Sequence, residues 1–133
     1  MIYIVDFGSQ VTQLIARRVR EAGVYCEIVS NKNLLIKIKD NKPTGIIFSG
    51  GPASVHKSHT PKIDQKIFSL NIPILGICYW MQLIVHHLGV KVEISKQREF
   101  GKTLITHKNK SKLFRGLKLK NNQQCVWMRH ADK

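Results

Sequence analysis

The chain has 133 residues, 43% of them apolar, which suffices for one domain with a buried core and argues against a disordered chain. No 18-residue apolar run offers a membrane-crossing helix, and the opening MIYIVDFG lacks the basic segment and cleavage site of a secretory leader, so neither feature is expected. Lys and Arg number 22 against 8 Asp and Glu, a formal charge of +14; the three cysteines, Cys26, Cys78 and Cys125, form no C-x-x-C pair and no zinc-finger spacing with histidine, which argues against a disulfide scaffold or structural zinc and fits a reduced, cytoplasmic compartment.

The elements are predicted in chain order from the spacing of apolar residues. Residues 1–5 are a short β-branched run, a strand, broken by Asp6-Phe7-Gly8-Ser9. Ser9 is placed to cap a helix over 10–22, in which Val11, Leu14, Ile15, Val19 and Ala22 keep helical spacing and which Gly23 ends. A second strand is expected over 24–29 and a short amphipathic helix over 33–39. A buried strand follows over 45–48, leading into the tight loop Ser49-Gly50-Gly51-Pro52. Residues 61–70 read as a helix with Pro61 in its first turn, 72–77 as another strand, and 79–88 as a helix closed by Gly89. Strand and helix thus alternate to about residue 89, the pattern of an α/β fold with a doubly wound parallel sheet covered on both faces. Beyond it, 90–94, 101–106 and 123–128 read as strands, with at most one helical turn at 113–117.

The charge does not by itself indicate a function. Sixteen of the 22 basic residues are Lys, and Ile also numbers sixteen, a composition that A/T-rich coding favours. The basic residues scatter through loops and concentrate after Gly101 without an aromatic set interleaved for base stacking. A solvated surface, or one that meets an acidic partner domain, accounts for them better than nucleic acid.

Chemistry centres on Pro73-Ile74-Leu75-Gly76-Ile77-Cys78-Tyr79-Trp80-Met81-Gln82. Cys78 falls where a buried strand ends and a helix begins. That turn presents a side chain at the carboxyl end of the sheet, where open α/β folds bind ligands. A helix N-terminus lowers a thiol's pKa, and its free N–H groups can hold an oxyanion. A lone cysteine is otherwise a small buried apolar residue, and Ser49-Gly50-Gly51-Pro52 is otherwise an ordinary turn. Two strand-end loops of one parallel sheet can, however, converge.

The segments Ile4-Val5-Asp6-Phe7-Gly8-Ser9-Gln10, Ser49-Gly50-Gly51-Pro52-Ala53-Ser54-Val55, Gly76-Ile77-Cys78-Tyr79 with Met81-Gln82, Arg98-Glu99-Phe100-Gly101 and Val126-Trp127-Met128 resemble, in one register over nearly the whole chain, the glutaminase domain of bacterial GMP synthases, which is a class I glutamine amidotransferase. The resemblance implies a flavodoxin-like three-layer αβα fold, incomplete at its C-terminus. It also implies hydrolysis of glutamine, with the ammonia passed to a synthetase domain or subunit that converts XMP to GMP. Cys78 matches the nucleophile, Gly51 and the Tyr79 N–H the oxyanion hole, Gln82 a contact to bound glutamine, and Asp132 a substrate-side motif. No cofactor is expected in this chain; ATP and magnesium would serve the synthetase portion, which is not in it.

Three departures bear on activity. The family's His-Pro-Glu motif, source of the base, lies downstream of residue 133, and none of the six histidines here has Glu two residues on. Trp80 stands where the family carries a small Gly, and is expected to overpack or tilt the turn. Arg129-His130-Ala131-Asp132 replaces Ser-His-Gly-Asp, so His130 with Asp132 could stand in for the missing arm only within reach of the thiol. Two alternatives remain, a non-catalytic flavodoxin-like module or another class I amidotransferase subunit such as that of anthranilate synthase. The Asp-Phe-Gly-Ser-Gln opening and Arg-Glu-Phe-Gly argue against the second.

If the positive charge is compositional, binding of the chain to duplex DNA at physiological salt should be non-specific, with Kd of roughly 0.1 mM or weaker. A fluorescence-anisotropy titration that gave sub-micromolar affinity would instead assign the surface to nucleic acid.

Overall fold

The computed structural model describes residues 1–50, 63–77, 80, 81, 84, 94–106, 112–116 and 123–132. These fall into two compact units, Met1–Val92 and Glu93–Lys133.

The first unit is a four-stranded parallel sheet. Its strands are β1 (Ile2–Asp6), β2 (Cys26–Ser30), β3 (Gly45–Phe48) and β4 (Ile74–Gly76), in the spatial order β2-β1-β3-β4. Helix α1 (Thr12–Glu21) joins β1 to β2, and α2 (Leu34–Asp40), entered through a 3₁₀ turn at Asn31–Asn33, joins β2 to β3. Side chains of a strand alternate between faces, and β1 shows the consequence. Ile4 packs with Ala16 of α1 and Cys26 of β2, flanked by Ile2, Ile15, Val19, Ile28 and Ile47. Tyr3 and Val5 face the other way and share a second core with Val29, Leu34, Ile38, Ile46, Phe48, Ile67, Ile72 and Trp80. One helix therefore covers each face, as right-handed crossovers require when the first connection runs to one side of β1 and the next passes over it. This is the doubly wound α/β arrangement that the alternating pattern predicts.

Several boundaries differ from the sequence expectation, each for a local reason. Helix α1 starts at Thr12 rather than at residue 10. Gly8 takes a left-handed φ of 82° and its N–H donates to Asp6 Oδ1 at 2.9 Å, so the chain is still turning there. Ser9 Oγ then accepts from Val11 N–H at 3.3 Å, a turn bond rather than a helix cap. Gly23, φ 81°, ends the helix as expected. Val24 N–H is held back to Val19 O at 3.3 Å, which delays β2 to Cys26. The helix predicted over 61–70 is, within the described residues, a 3₁₀ segment, Gln65–Ser69; Asp64 caps it by accepting from Lys66 N–H at 3.0 Å, and Asn71, φ 54°, reverses the chain toward β4. Residues 61 and 62 lie outside the described residues, as does most of the helix predicted over 79–88.

In the second unit β5 (Ile94–Thr106) and β6 (Gln123–Asp132) pair antiparallel, from Thr106 opposite Gln123 to Glu99 opposite His130, with a register shift before Ile94 opposite Asp132. The predicted strand over 101–106 is the end of one thirteen-residue strand, and β6 runs to Asp132. A 3₁₀ turn, Lys112–Phe114, stands where a single helical turn was expected.

The C-terminus of α2 leaves backbone carbonyls without helical partners. Tyr3, 1% exposed, supplies one from the sheet: its hydroxyl donates to Asn41 O at 2.8 Å and lies 3.3 Å from Lys37 O. Burial, followed by the Glu27 and Asp40 carboxylates, raises its pKa above the ordinary 10.0. The folded chain thus holds this proton more tightly than the unfolded one, and the resulting stability is present below the unfolded pKa and lost as pH rises through the folded one. Tyr3→Phe should lower stability at neutral pH by about 1–2 kcal/mol and flatten the decline of stability above the ordinary tyrosine pKa, as read by urea unfolding across alkaline pH.

Candidate active site

The sheet's carboxyl edge places two loop departures side by side. β3 and β4 run parallel with Phe48 opposite Gly76, and Ile77 N–H donates to Phe48 O at 3.1 Å, extending the pairing by one residue. The chain leaves β3 through Ser49 and Gly50 and leaves β4 after Ile77. Trp80 N–H donates back to Ile77 O at 3.3 Å, closing a turn, and Trp80, Met81 and Ile84 are helical. The end of the strand at Gly76 and helical backbone at Trp80 thus lie four residues apart. Gly76 makes this possible: a Cβ there would stand 2.8 Å from Trp80 C, from Met81 N and from Ile84 Cδ1. Two of those atoms are backbone, which cannot move aside without opening the turn.

Trp80 corrects an expectation. Its indole is fully buried, at 0% exposure, in the core beneath β1 and β3. Its ring centroid is 3.7 Å from that of Phe7 and 5.6 Å from that of Phe48, at interplanar angles of 36° and 39°. The indole is a core side chain, and the demand for a small residue falls on Gly76 instead.

A polar cluster lies at the carboxyl ends of β1 and β3. Ser49 Oγ donates to Val5 O at 2.7 Å, Thr12 Oγ1 donates to Ser49 Oγ at 2.9 Å, and Thr12 Oγ1 also approaches Asp6 Oδ1 at 3.3 Å. Ser49 and Thr12 are 0% and 2% exposed. Sequence reasoning passed over Thr12. The one signal for it was its place a turn before Ala16, on the inward face of α1, where a purely structural helix carries an apolar residue.

Of the residues assigned from sequence, Cys78, Tyr79, Gly51 and Gln82 lie outside the described residues, as do His86 and His87. Asp132 is on β6 opposite Ile94, and His130 is opposite Glu99. Among the described residues no three His, Cys, Asp or Glu side chains gather as metal donors, and no helix is long and apolar enough to cross a membrane. Of the other two thiols, Cys26 is buried and donates to Ala16 O at 3.5 Å, while Cys125 is exposed.

Adjacent parallel strands that end side by side, one of them followed by a helix start at Trp80, form a frame found in enzymes that act through a nucleophile at a strand end. Residues 3–133 match the family of class I glutamine amidotransferases, and the chain belongs to that family. It is 53% identical over 132 residues to the glutamine-hydrolysing GMP synthase of Clostridium perfringens, and 51% identical to that of Finegoldia magna; each match takes in 99% of this chain and 25% of the relative. The chain therefore spans about a quarter of the length of the curated relatives it matches. The solved structure of a GMP synthase subunit from Thermoplasma acidophilum superposes with a TM-score of 0.74 at 34% identity, over 99% of this chain and 65% of the other.

With its indole in the core, Trp80 is a stability determinant. Trp80→Gly should destabilise the chain by about 3–5 kcal/mol, through lost burial and the cavity left against Phe7 and Phe48, as measured by urea unfolding. A neutral or stabilising effect would return Trp80 to the role of a crowding side chain.

Proposed function

We propose that this chain is the glutamine-hydrolysing part of a GMP synthase. The observation that carries the reading is the turn closed by Trp80 N–H on Ile77 O, at the end of a strand hydrogen-bonded to the one that leads into Ser49-Gly50. Cys78 follows Ile77 directly, and Gly51 follows Gly50.

In this reading the Cys78 thiolate attacks the side-chain amide carbon of glutamine. The carbonyl π electrons move onto oxygen, and the Gly51 and Tyr79 N–H groups stabilise that oxyanion. As the tetrahedral species collapses, the C–N bond breaks and ammonia leaves after taking a proton. Water then attacks the thioester, releasing glutamate and restoring the thiol. Gln82 contacts the bound glutamine, and Asp132 belongs to the substrate side. Ammonia passes to a synthetase domain or subunit, which aminates adenylylated XMP with ATP and magnesium. The setting is the cytoplasm. Protonation of the leaving ammonia requires a general acid and activation of the water a general base, two roles that one histidine takes in turn, and no histidine of this sequence has Glu two residues on.

Residues 1–133 alone should release no ammonia from glutamine above a Cys78→Ala blank, since loss of a triad base removes rate on the order of 10⁶-fold, and Trp80→Gly should not restore it. Grafted in place of the matching quarter of the Clostridium perfringens relative, the same residues should support glutamine hydrolysis that Cys78→Ala abolishes. A folded chimera without turnover would count against the reading. Turnover by the 133 residues alone would assign the base to His130, which a His130→Ala variant would test.

A further inference from the structure

Doubly wound sheets commonly leave a ligand crevice where the strand order reverses, here between the carboxyl ends of β1 and β3. In this chain side chains bridge that point. Ser49 is the first residue beyond the last β1–β3 register pair, Val5 opposite Phe48, and both its N–H, at 3.4 Å, and its hydroxyl, at 2.7 Å, turn to Val5 O. A serine hydroxyl has one proton. With that proton on Val5 O, Ser49 Oγ can only accept, and the Thr12 hydroxyl fills the place at 2.9 Å. Asp6 Oδ1, at the longer 3.3 Å from Thr12, takes the Gly8 N–H at 2.9 Å. Strand β1, the first turn of α1 and the exit of β3 are thereby latched by two consecutive buried hydroxyl bonds.

The sequence immediately beyond the latch makes it consequential. Gly50 and Gly51 carry no side chain by which to pack, so the exit from β3 is fixed at Ser49, the last residue before them that has one. We propose that Thr12 is a positioning residue for glutamine hydrolysis: acting through Ser49, its hydroxyl aims the Gly50-Gly51 loop so that the Gly51 N–H meets the oxyanion formed at Cys78. The inference rests on the glutaminase reading above. In this role Thr12 acts on the angle of a donor rather than on the substrate, and oxyanion donors act only when held in place before charge develops.

The test uses the 133-residue chain and two alkylating agents, followed by intact mass and peptide mapping of Cys78. One is a glutamine analogue whose amide nitrogen is replaced by CH2Cl. Its carbonyl needs the oxyanion donors, the Cys78 sulfur displaces chloride to form a thioether, and the thiol proton passes to solvent. The other is iodoacetamide, which reports on the thiol itself. In the unmodified chain, capture by the analogue should be saturable and suppressed by glutamine. Thr12→Val should slow that capture by about 10–100-fold, somewhat less than outright loss of a donor, while leaving the iodoacetamide rate within about 2-fold. Thr12→Ser, which keeps the hydroxyl, should restore it. Ser49→Ala should slow it similarly, and the double variant Thr12→Val/Ser49→Ala no further, because both remove one chain of bonds. Circular dichroism establishes that each variant is folded; if Thr12→Val is not, Ser49→Ala carries the test. Unchanged analogue capture in a folded Thr12→Val or Ser49→Ala overturns the positioning role. Capture of the unmodified chain that glutamine does not suppress overturns the glutaminase reading, and the positioning role with it.

Discussion

Strand β1 carries the constraint on which the first unit depends. It is hydrogen-bonded along both edges, to β2 from Ile2 opposite Cys26 to Asp6 opposite Ser30, and to β3 from Ile2 opposite Gly45 to Val5 opposite Phe48. Its residues also bury into both layers, Ile4 against α1 and Tyr3 and Val5 against α2. The three central residues of the strand can do this only if each is apolar or finds a buried partner, because neither their faces nor their edges reach water. Tyr3, Ile4 and Val5 are each at most 1% exposed, and burial of side chains of this size contributes about 1.5–3 kcal/mol apiece. The one polar atom among them, the Tyr3 hydroxyl, is spent on the end of α2.

The same strand organises the candidate site from a distance. Its last buried carbonyl, on Val5, anchors Ser49, and the turn after it brings Phe7 onto Trp80 and Asp6 toward Thr12. The loop that leaves β3 and the helix that begins after β4 are thus both fastened to β1, although neither is next to it in sequence. Charge plays little part in this. Among the described residues the ion pair is Arg18 with Glu21 at 2.9 Å, both largely exposed, a geometry that contributes little. The excess of lysine and arginine acts on solubility and encounter, not on the fold.

The first unit was largely legible because its information is local. Short β-branched runs, helical spacing and a glycine after the last helical residue each constrain the few residues around them, so β1, β3 and the end of α1 fall where expected, and the alternation of strand and helix leaves few topologies. The family was legible for the same reason, since the segments that carry the resemblance are contiguous. The start of α1 was not, because it depends on how Asp6, Gly8 and Ser9 share hydrogen bonds in the preceding turn. The 3₁₀ segment at Gln65–Ser69 also escaped, since apolar spacing over so few residues does not separate it from an α-helix.

Sequence by itself determined the fold class and the family, because periodicity, glycines and contiguous motifs are properties of neighbouring residues. Tertiary structure alone decided where two side chains go. Trp80 stands at a helix start from which an indole could crowd the turn or enter the core, and Phe7 and Phe48, from two other parts of the chain, supply the surface that draws it in. Thr12 has the look of an ordinary helical residue until β3 brings Ser49 to its hydroxyl from 37 positions away. A hydrogen bond has no trace in the spacing of one segment when its other half comes from a different strand; packing the sheet is what brings the two halves together.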